Sequence, residues 1–241
     1  MRVALILVLV LLAPLSMAAQ SIPDDRARAE AVRAYRAGQE FLSGEHWERA
    51  AREFQSAIKS DYLLTDAYYG LGQAFMGLER YVSAAQAFEG CLTTARTVHG
   101  LREQGRVMGD RRIDDEIREV RDAIRRLLTN GGSVLRAQRL ESHLDYLHRS
   151  RSSMGATFQP PPIVLLALGS AHYRNGGAAR AEYYWKEAAR GDDTLGEAWN
   201  NLAAIYAATG RSSEAKHALT SAERAGFRVN PKLKEEILGR Q

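Results

Sequence analysis

A single residue pattern that returns at an interval of 34 positions constrains this chain more than any other feature. Shifting residue 31 onto 65, and residue 162 onto 196, brings the same residue types into register. The second unit reads Tyr68-x2-Leu71-Gly72-x2-Phe75, followed by Ala84-x3-Phe88. A period of this length is typical of repeat proteins, in which each unit is one supersecondary element that stacks on its neighbours.

Three further units carry the same pattern with substitutions. They read Ala34-x2-Ala37-Gly38-x2-Phe41 with Ala50-x3-Phe54, Leu165-x2-Leu168-Gly169-x2-His172 with Ala181-x3-Trp185, and Trp199-x2-Leu202-Ala203-x2-Tyr206 with Ala215-x3-Leu219. Small residues at the eighth and twentieth positions allow two antiparallel helices to approach closely, and large residues fill the space beside them. Glycines between the two halves favour the end of the first helix. Each unit is therefore predicted to be a helical hairpin.

These residues resemble the tetratricopeptide repeat family. The resemblance covers residues 31–98 and 162–229, as two pairs of repeats. The family's proline near the end of each unit is absent, and its positions hold Tyr62, Arg96, Asp193 and Phe227. The resemblance implies an all-α fold, an α-solenoid of helical hairpins whose concave face binds peptides or protein segments.

The middle segment, residues 99–161, breaks the period, because several of its arginines occupy positions that should be apolar or small. Two apolar stripes at helical spacing predict a longer central α-hairpin, followed by a proline-rich loop. The stripes are Ile113, Ile117, Val120, Ile124 and Leu127, then Val134, Ala137, Leu140, Leu144 and Leu147. Asn130-Gly131-Gly132 is expected to separate the two helices. The hairpin is either a spacer that continues the stack or an arm specific to a partner.

The two ends of the repeat region have predicted roles of their own. Residues 19–30 are a lead-in to the first unit. Asn230-Pro231 predicts the start of another helix, with asparagine as its cap and proline at its first position. The helix over 230–241 places Leu233, Ile237 and Leu238 on one face, so we expect it to cap the solenoid.

Residues 1–18 are predicted to be a secretory signal peptide. Met1-Arg2 supplies a positive charge, Val3 to Leu12 is an unbroken apolar run, and Ser16-Met17-Ala18 places small residues at a cleavage site. The alternative is an uncleaved N-terminal anchor in the inner membrane. Because the basic residues are mostly arginine, we infer a GC-rich bacterial source and expect export to the periplasm.

The sequence contains no recognisable catalytic or metal-binding constellation. There is no HExxH, GxSxG or GxxxxGK motif. His143 and His148 are five residues apart, which is not a chelating spacing on a helix. The acidic run Asp114-Asp115-Glu116 is interpreted as the start of a helix, and Cys91, the one cysteine, as a structural thiol at a small interior position. We predict no enzyme activity, no metal and no cofactor.

The resemblance also supplies candidates for a binding groove. In the family, the second, fifth, ninth, twelfth and thirteenth positions of a repeat tend to face the concave side. Carried over, these positions include Tyr35, Gln39, Tyr69, Gln73, Tyr173, Arg174 and Asn200. Tyrosine offers a flat apolar surface with a hydroxyl, and amide side chains can bond an extended backbone. The alternative is that these residues only pack between helices. Because tyrosine replaces the first basic group of the family's carboxylate clamp, no such clamp is expected.

The sequence thus predicts a non-enzymatic scaffold of the bacterial cell envelope that binds a segment of another protein in its groove. The net charge of +4 comes from the arginine-rich stretch around the central hairpin. We interpret those arginines as a solvated face interleaved with acids. One alternative is that this surface binds anionic lipid or nucleic acid, and another is an unrecognised enzyme. Within the second unit, the pattern places Ala84 at a helix crossing and leaves its neighbour Ala85 less constrained.

Overall fold

The computed structural model describes residues 22–129, 140–145, 147–148 and 157–239. The helices are α1 (Asp25–Ser43), α2 (Trp47–Ser60), α3 (Thr65–Gly77), α4 (Tyr81–Thr129), α5 (Pro162–Arg174), α6 (Ala178–Gly191), α7 (Gly196–Ala208), α8 (Ser212–Arg224) and α9 (Pro231–Gly239). The first eight form four hairpins in chain order. Within the described ranges there is no strand, and the all-α solenoid is confirmed. The predicted signal peptide, the predicted turn at Asn130-Gly131-Gly132 and the stripe residues Val134 and Ala137 lie outside the described residues.

Each hairpin closes where a small residue of its first helix meets a large side chain of its second. A Cβ atom added to Gly38 would lie 2.7 Å from the ring of Phe54, and one added to Gly72 would lie 2.4 Å from the ring of Phe88. Contacts this short do not occur in packed proteins, so both crossings require glycine. The predicted role of the eighth position is therefore confirmed in these two units.

The second and third hairpins pack directly on each other, although residues 99–161 separate them in sequence. One buried cluster joins Ala84, Ala85, Phe88 and Cys91 of α4 to Val164, Leu168 and Ala171 of α5. The central segment is therefore not a spacer within the stack, and that alternative is wrong. Ala85 is only 7% exposed, so the prediction that its position is less constrained is also wrong, because the repeat-to-repeat contact uses it.

Helix α4 continues far beyond the second hairpin. It contains 49 residues, which at 1.5 Å per residue is a length of about 74 Å. Residues 99–112 include no proline, so a helix already nucleated by the repeat can propagate through them. Asp114-Asp115-Glu116 consequently lies in the interior of α4, and its interpretation as a helix start is wrong.

The outer part of α4 packs against helical residues at 140–145 and 147–148. Ile117, Val120 and Leu147 are buried there, and the partly buried Ile113, Ile124, Leu140 and Leu144 surround them. Two polar contacts join the same helices. The Nε2 atom of His143 lies 3.0 Å from Oε1 of Glu116, and Nη2 of Arg121 lies 3.3 Å from Nε2 of His148. The described residues of the two predicted stripes therefore face each other.

Helix α9 covers the last repeat. Ile237 is 2% exposed and belongs to the apolar cluster of the third and fourth hairpins, and Leu233 packs against that cluster. The side chain of Asn230 accepts a 2.9 Å hydrogen bond from the backbone N–H of Lys232. Leu238 is 50% exposed, so its predicted place on the core face is wrong.

Candidate functional site

One groove is lined by the first helices of all four hairpins. Its main cavity has a volume of about 540 Å³. The lining residues are Gln39, Leu42 and Ser43 of α1, Trp47 of α2, Tyr69, Gln73 and Met76 of α3, Phe88 of α4, Ile163, Leu166, Ala167 and Ser170 of α5, and Glu197 of α7. Residues of the first and fourth repeats meet here because a small rotation between stacked hairpins curves a solenoid and creates a concave surface.

A smaller cavity of about 250 Å³ continues the groove towards the fourth hairpin. Met76, Ser170 and Glu197 line both cavities, so the two adjoin. The remaining lining residues of the smaller cavity are Tyr173, Arg174, Trp185, Asn201, Ala204 and Ile205. We call the two cavities together the concave groove.

The structure places five of the seven candidate residues on the concave groove. Gln39, Tyr69 and Gln73 line the main cavity, and Tyr173 and Arg174 line the smaller one.

The other two candidates, Tyr35 and Asn200, line neither cavity. Asn201 takes the place expected for its neighbour Asn200. Tyr35 lies beside the groove, where its hydroxyl oxygen accepts a 3.1 Å hydrogen bond from the amide of Gln39.

Tyr35 and Tyr69 keep the same packing one repeat apart. The ring centres of Tyr35 and Phe54 are 5.8 Å apart, and the angle between the ring planes is 51°. The ring centres of Tyr69 and Phe88 are 5.6 Å apart, with an angle of 50° between the planes. Burial is the largest cause that raises the pKa of both phenols, so both hydroxyls stay neutral near pH 7. Each ring therefore packs between helices, and Tyr69 additionally lines the groove.

Sequence reasoning did not name Ile163, Leu166, Ser170 and Glu197. Ile163 and Glu197 occupy the second position of their repeats, Leu166 the fifth and Ser170 the ninth. These are positions already assigned to the concave side. The repeat register was thus the signal that could have found all four.

The groove offers apolar surface with a few polar groups. Among the residues lining the main cavity, Glu197 alone carries a formal charge. The Ser170 hydroxyl donates to the Leu166 carbonyl at 3.0 Å, whereas the Gln73 amide bonds to no other described residue. Such a surface can enclose apolar side chains while an amide bonds to a peptide backbone.

Cys91 lies on the core side of the second hairpin and is 1% exposed. Burial is the main cause that raises the pKa of its thiol to about 12. The thiol is therefore protonated at neutral pH and has the structural role predicted for it. Elsewhere in the described chain, no three His, Cys, Asp or Glu side chains are placed to hold a metal ion.

Three arginines of α4, Arg106, Arg118 and Arg125, pair with acids about one helical turn away. Arg106 lies 2.9 Å from both Glu103 and Asp110, and Arg125 lies 3.1 Å from Asp122. These pairs fit the solvated, charge-interleaved face expected from the sequence. None of the described helices is long and apolar enough to cross a membrane.

Protein-family profiles match the first, second and fourth repeats. A family profile described as tetratricopeptide repeat matches residues 35–96, and a second profile of that description matches residues 196–225. The comparison with curated proteins gives no match.

Several solved structures are similar to the chain at low identity. A structure from a functional characterization of Pseudomonas aeruginosa pilF is 17% identical with a TM-score of 0.38, over 88% of this chain and 82% of that one. YrrB, described as a TPR protein with an unusual peptide-binding site, is 16% identical with a TM-score of 0.31. The match covers 89% of this chain and 92% of YrrB. The matched chain of the yeast Sti1 TPR2AB-domain:pHSP90 complex is 12% identical with a TM-score of 0.29. The match covers 87% of this chain and 98% of that one.

Proposed function

Because this chain is a tetratricopeptide-repeat protein, we propose that it is a non-enzymatic scaffold, exported to the bacterial cell envelope, whose concave groove holds a segment of another protein. The observation that carries the proposal is that one groove is lined by the first helices of all four repeats. A surface assembled in this way depends on the whole stack. The binding site therefore forms only when the four repeats are stacked.

The groove suits an extended segment better than a compact small molecule. Its two adjoining cavities run from the first repeat to the fourth. Leu42, Met76 and Leu166 can contact apolar side chains, while the Gln73 amide can bond an exposed peptide group. Recognition of this kind draws most of its affinity from a few buried anchors.

The lining of the groove does not suggest a reaction. Its carboxylate is that of Glu197, and no lining residue of the two cavities is a histidine or cysteine. A nucleophile paired with a base is the usual requirement for covalent catalysis. The groove residues therefore favour binding over chemistry.

Site-specific photo-crosslinking in the producing cells tests the groove. A photoreactive amino acid at Gln73, which lines the main cavity, should give a crosslinked partner. The matched control is Gln86, an exposed polar residue of α4 outside the groove, where no such product is expected. Equal products from both positions would contradict groove binding.

Alanine variants of the two equivalent tyrosines refine the test. Tyr69→Ala should weaken capture of the crosslinked partner by about 1–2 kcal/mol, because a lining aromatic is lost. Tyr35→Ala should have the smaller effect, since Tyr35 reaches the groove only through Gln39. Circular dichroism must show that both variants keep their helicity.

Export is tested by N-terminal sequencing of the protein from cell fractions. The charge, apolar run and small residues of the first 18 positions predict a mature chain that starts at Ala19 or Gln20. An intact Met1 in the membrane fraction would establish the anchor instead.

A further inference from the structure

The acidic side chain of Glu197 lies at the junction of the two cavities of the concave groove. It lines both of them and is exposed. Every other residue that lines the main cavity is apolar or neutral. The low-dielectric wall on the groove side of this charge focuses its field into the groove, while water screens the exposed side of the carboxylate.

Within the described part of the chain, no ion pair neutralises this carboxylate. Arg174 is the cation that shares the smaller cavity with it, but the Arg174 guanidinium lies over the ring of Tyr81, 5.7 Å from its centre. After burial and Cys91, the charge of Glu197 is a further cause that raises the pKa of Tyr69. The negative charge of Glu197 therefore acts on Tyr69, which lines the same main cavity.

We propose that the groove selects a protein segment in which a lysine or arginine adjoins apolar side chains, with the basic group placed against Glu197. This inference rests on the proposed groove function and names the chemistry of its partner. Apolar side chains on one flank occupy the main cavity, beside Leu42, Met76 and Leu166. The basic group reaches the junction, and the opposite flank enters the smaller cavity beside Trp185. Charge complementarity of this kind fixes the register of a bound segment and rejects segments with an acid at that point.

Glu197 also lies in the first turn of α7, where an acid stabilises a helix whether or not anything binds. Asp66 provides a matched control for that role. It lies in the first turn of α3, at the same repeat position and exposed in the same way, but it lines neither cavity. Both acids therefore stabilise the first turn of their helix, but of the two Glu197 alone lines the groove.

The test uses protein purified from cells that express the complete chain, and three synthetic peptides. The peptides share one apolar sequence of about twelve residues and carry lysine, glutamine or glutamate at the central position. Binding is followed by fluorescence anisotropy at low salt. The wild-type protein should bind the lysine peptide about tenfold more tightly than the glutamine peptide, and the glutamate peptide most weakly.

Charge variants at Glu197 should change the preference and not merely the affinity. Glu197→Gln should bring the lysine and glutamine peptides within about twofold of each other, and Glu197→Lys should reverse the order of the lysine and glutamate peptides. Asp66→Asn should keep the wild-type order. Thermal melts of all variants show whether a changed peptide preference comes from a less stable α7 or from the altered charge.

Three results would overturn the inference. One is equal binding of the lysine and glutamine peptides, and another is no binding of any peptide. The third is a crosslink from position 73 to residues 1–21 of the same chain or to a second copy of the protein, together with no binding of the lysine peptide. If a partner is still captured through Gln73 while the charge preference is absent, the groove function stands and this inference alone fails.

Discussion

The repeats and the central hairpin are both built from amphipathic helices, yet the two regions bury them to different extents. Phe54, Phe88 and Leu168 of the repeats are at most 1% exposed. In the outer part of α4, Met108 is 66% exposed and Leu128 is 63% exposed. Each repeat has neighbours on which to pack, whereas the hairpin has a small core of its own. Apolar periodicity thus indicates a helix, but the extent of burial depends on what stacks against it.

Glycines show the same contrast. A Cβ added to Gly72 would lie 2.4 Å from Phe88, whereas one added to Gly100, Gly105 or Gly109 of α4 would meet nothing within 4 Å. Glycine is required for close approach in the first case and only weakens the helix in the second. The two regions should therefore respond in opposite ways to the same substitution.

Removal of a large side chain from a helix crossing should have the largest effect. Phe88→Ala is expected to lower the free energy of unfolding by about 3–5 kcal/mol, because it leaves a cavity between the second and third repeats. Thermal or denaturant melts followed by circular dichroism measure the loss. A variant that melts like the wild type would show that this interface does not support the stack.

A matched truncation in the central hairpin should act locally. Ile117→Ala is expected to destabilise the hairpin by about 2–4 kcal/mol and to leave the main melting transition of the repeats in place. Hydrogen exchange should then rise in residues 105–129 and not in α1 to α3. If the whole protein melted earlier, the hairpin and the repeats would form one cooperative unit, and the comparison would fail.

Overfilling a helix crossing should cost less than emptying it. Ala84→Leu is expected to destabilise the protein by about 1–3 kcal/mol, because Ala84 is fully buried. Gln86→Leu is the control, since Gln86 is exposed on the same helix. Equal shifts in the melting temperature of the two variants would contradict the register of the second repeat.

An alanine in the outer part of α4 should be stabilising. Gly105→Ala is expected to strengthen the helix by up to about 1 kcal/mol, because alanine has the higher helix propensity and the space is open. Hydrogen exchange of residues 100–110 measures this gain. Gly72→Ala should instead destabilise the protein, because its added Cβ would lie 2.4 Å from Phe88.

The smallest expected effect is a dependence of stability on pH from one side chain of the third repeat. Burial, then the charge of Arg180, lowers the pKa of His172 below its ordinary 6.5. Its Nε2 atom is buried without a described hydrogen-bond partner. As the pH falls through 6.5, the unfolded chain gains a proton before the folded protein does. The free energy of unfolding should therefore decline on acidification and level off below the folded pKa.

Substitution by the residue found in other repeats should remove that pH dependence. The eleventh position holds Phe41 and Phe75 in the first two units, so His172→Phe fits the pattern and can stack on Tyr184 as His172 does at 5.4 Å. Denaturant melts at pH 7.5 and 5.5 compare the two proteins. If His172→Phe keeps the pH dependence of the wild type, this side chain is not its source.

The sequence by itself determined the helical hairpins, their register and the residues at their crossings. These features are local and periodic, so four copies of one pattern were enough to place Gly72 against Phe88. The same register put Gln39, Tyr69 and Gln73 at groove positions. It failed for Tyr35, which lies beside the groove, and for Asn200, whose neighbour Asn201 lines the groove instead. A difference of one residue turns a helical side chain by about 100°.

The tertiary structure alone decided how the units meet. It stacked the third repeat directly on the second and extended α4 into the central hairpin. It also brought Gln39 of the first repeat and Glu197 of the fourth to one cavity. These outcomes depend on contacts between residues far apart in sequence and on small rotations that accumulate from one hairpin to the next. A repeat pattern specifies each unit, but the sum of those rotations sets the curvature that makes the groove.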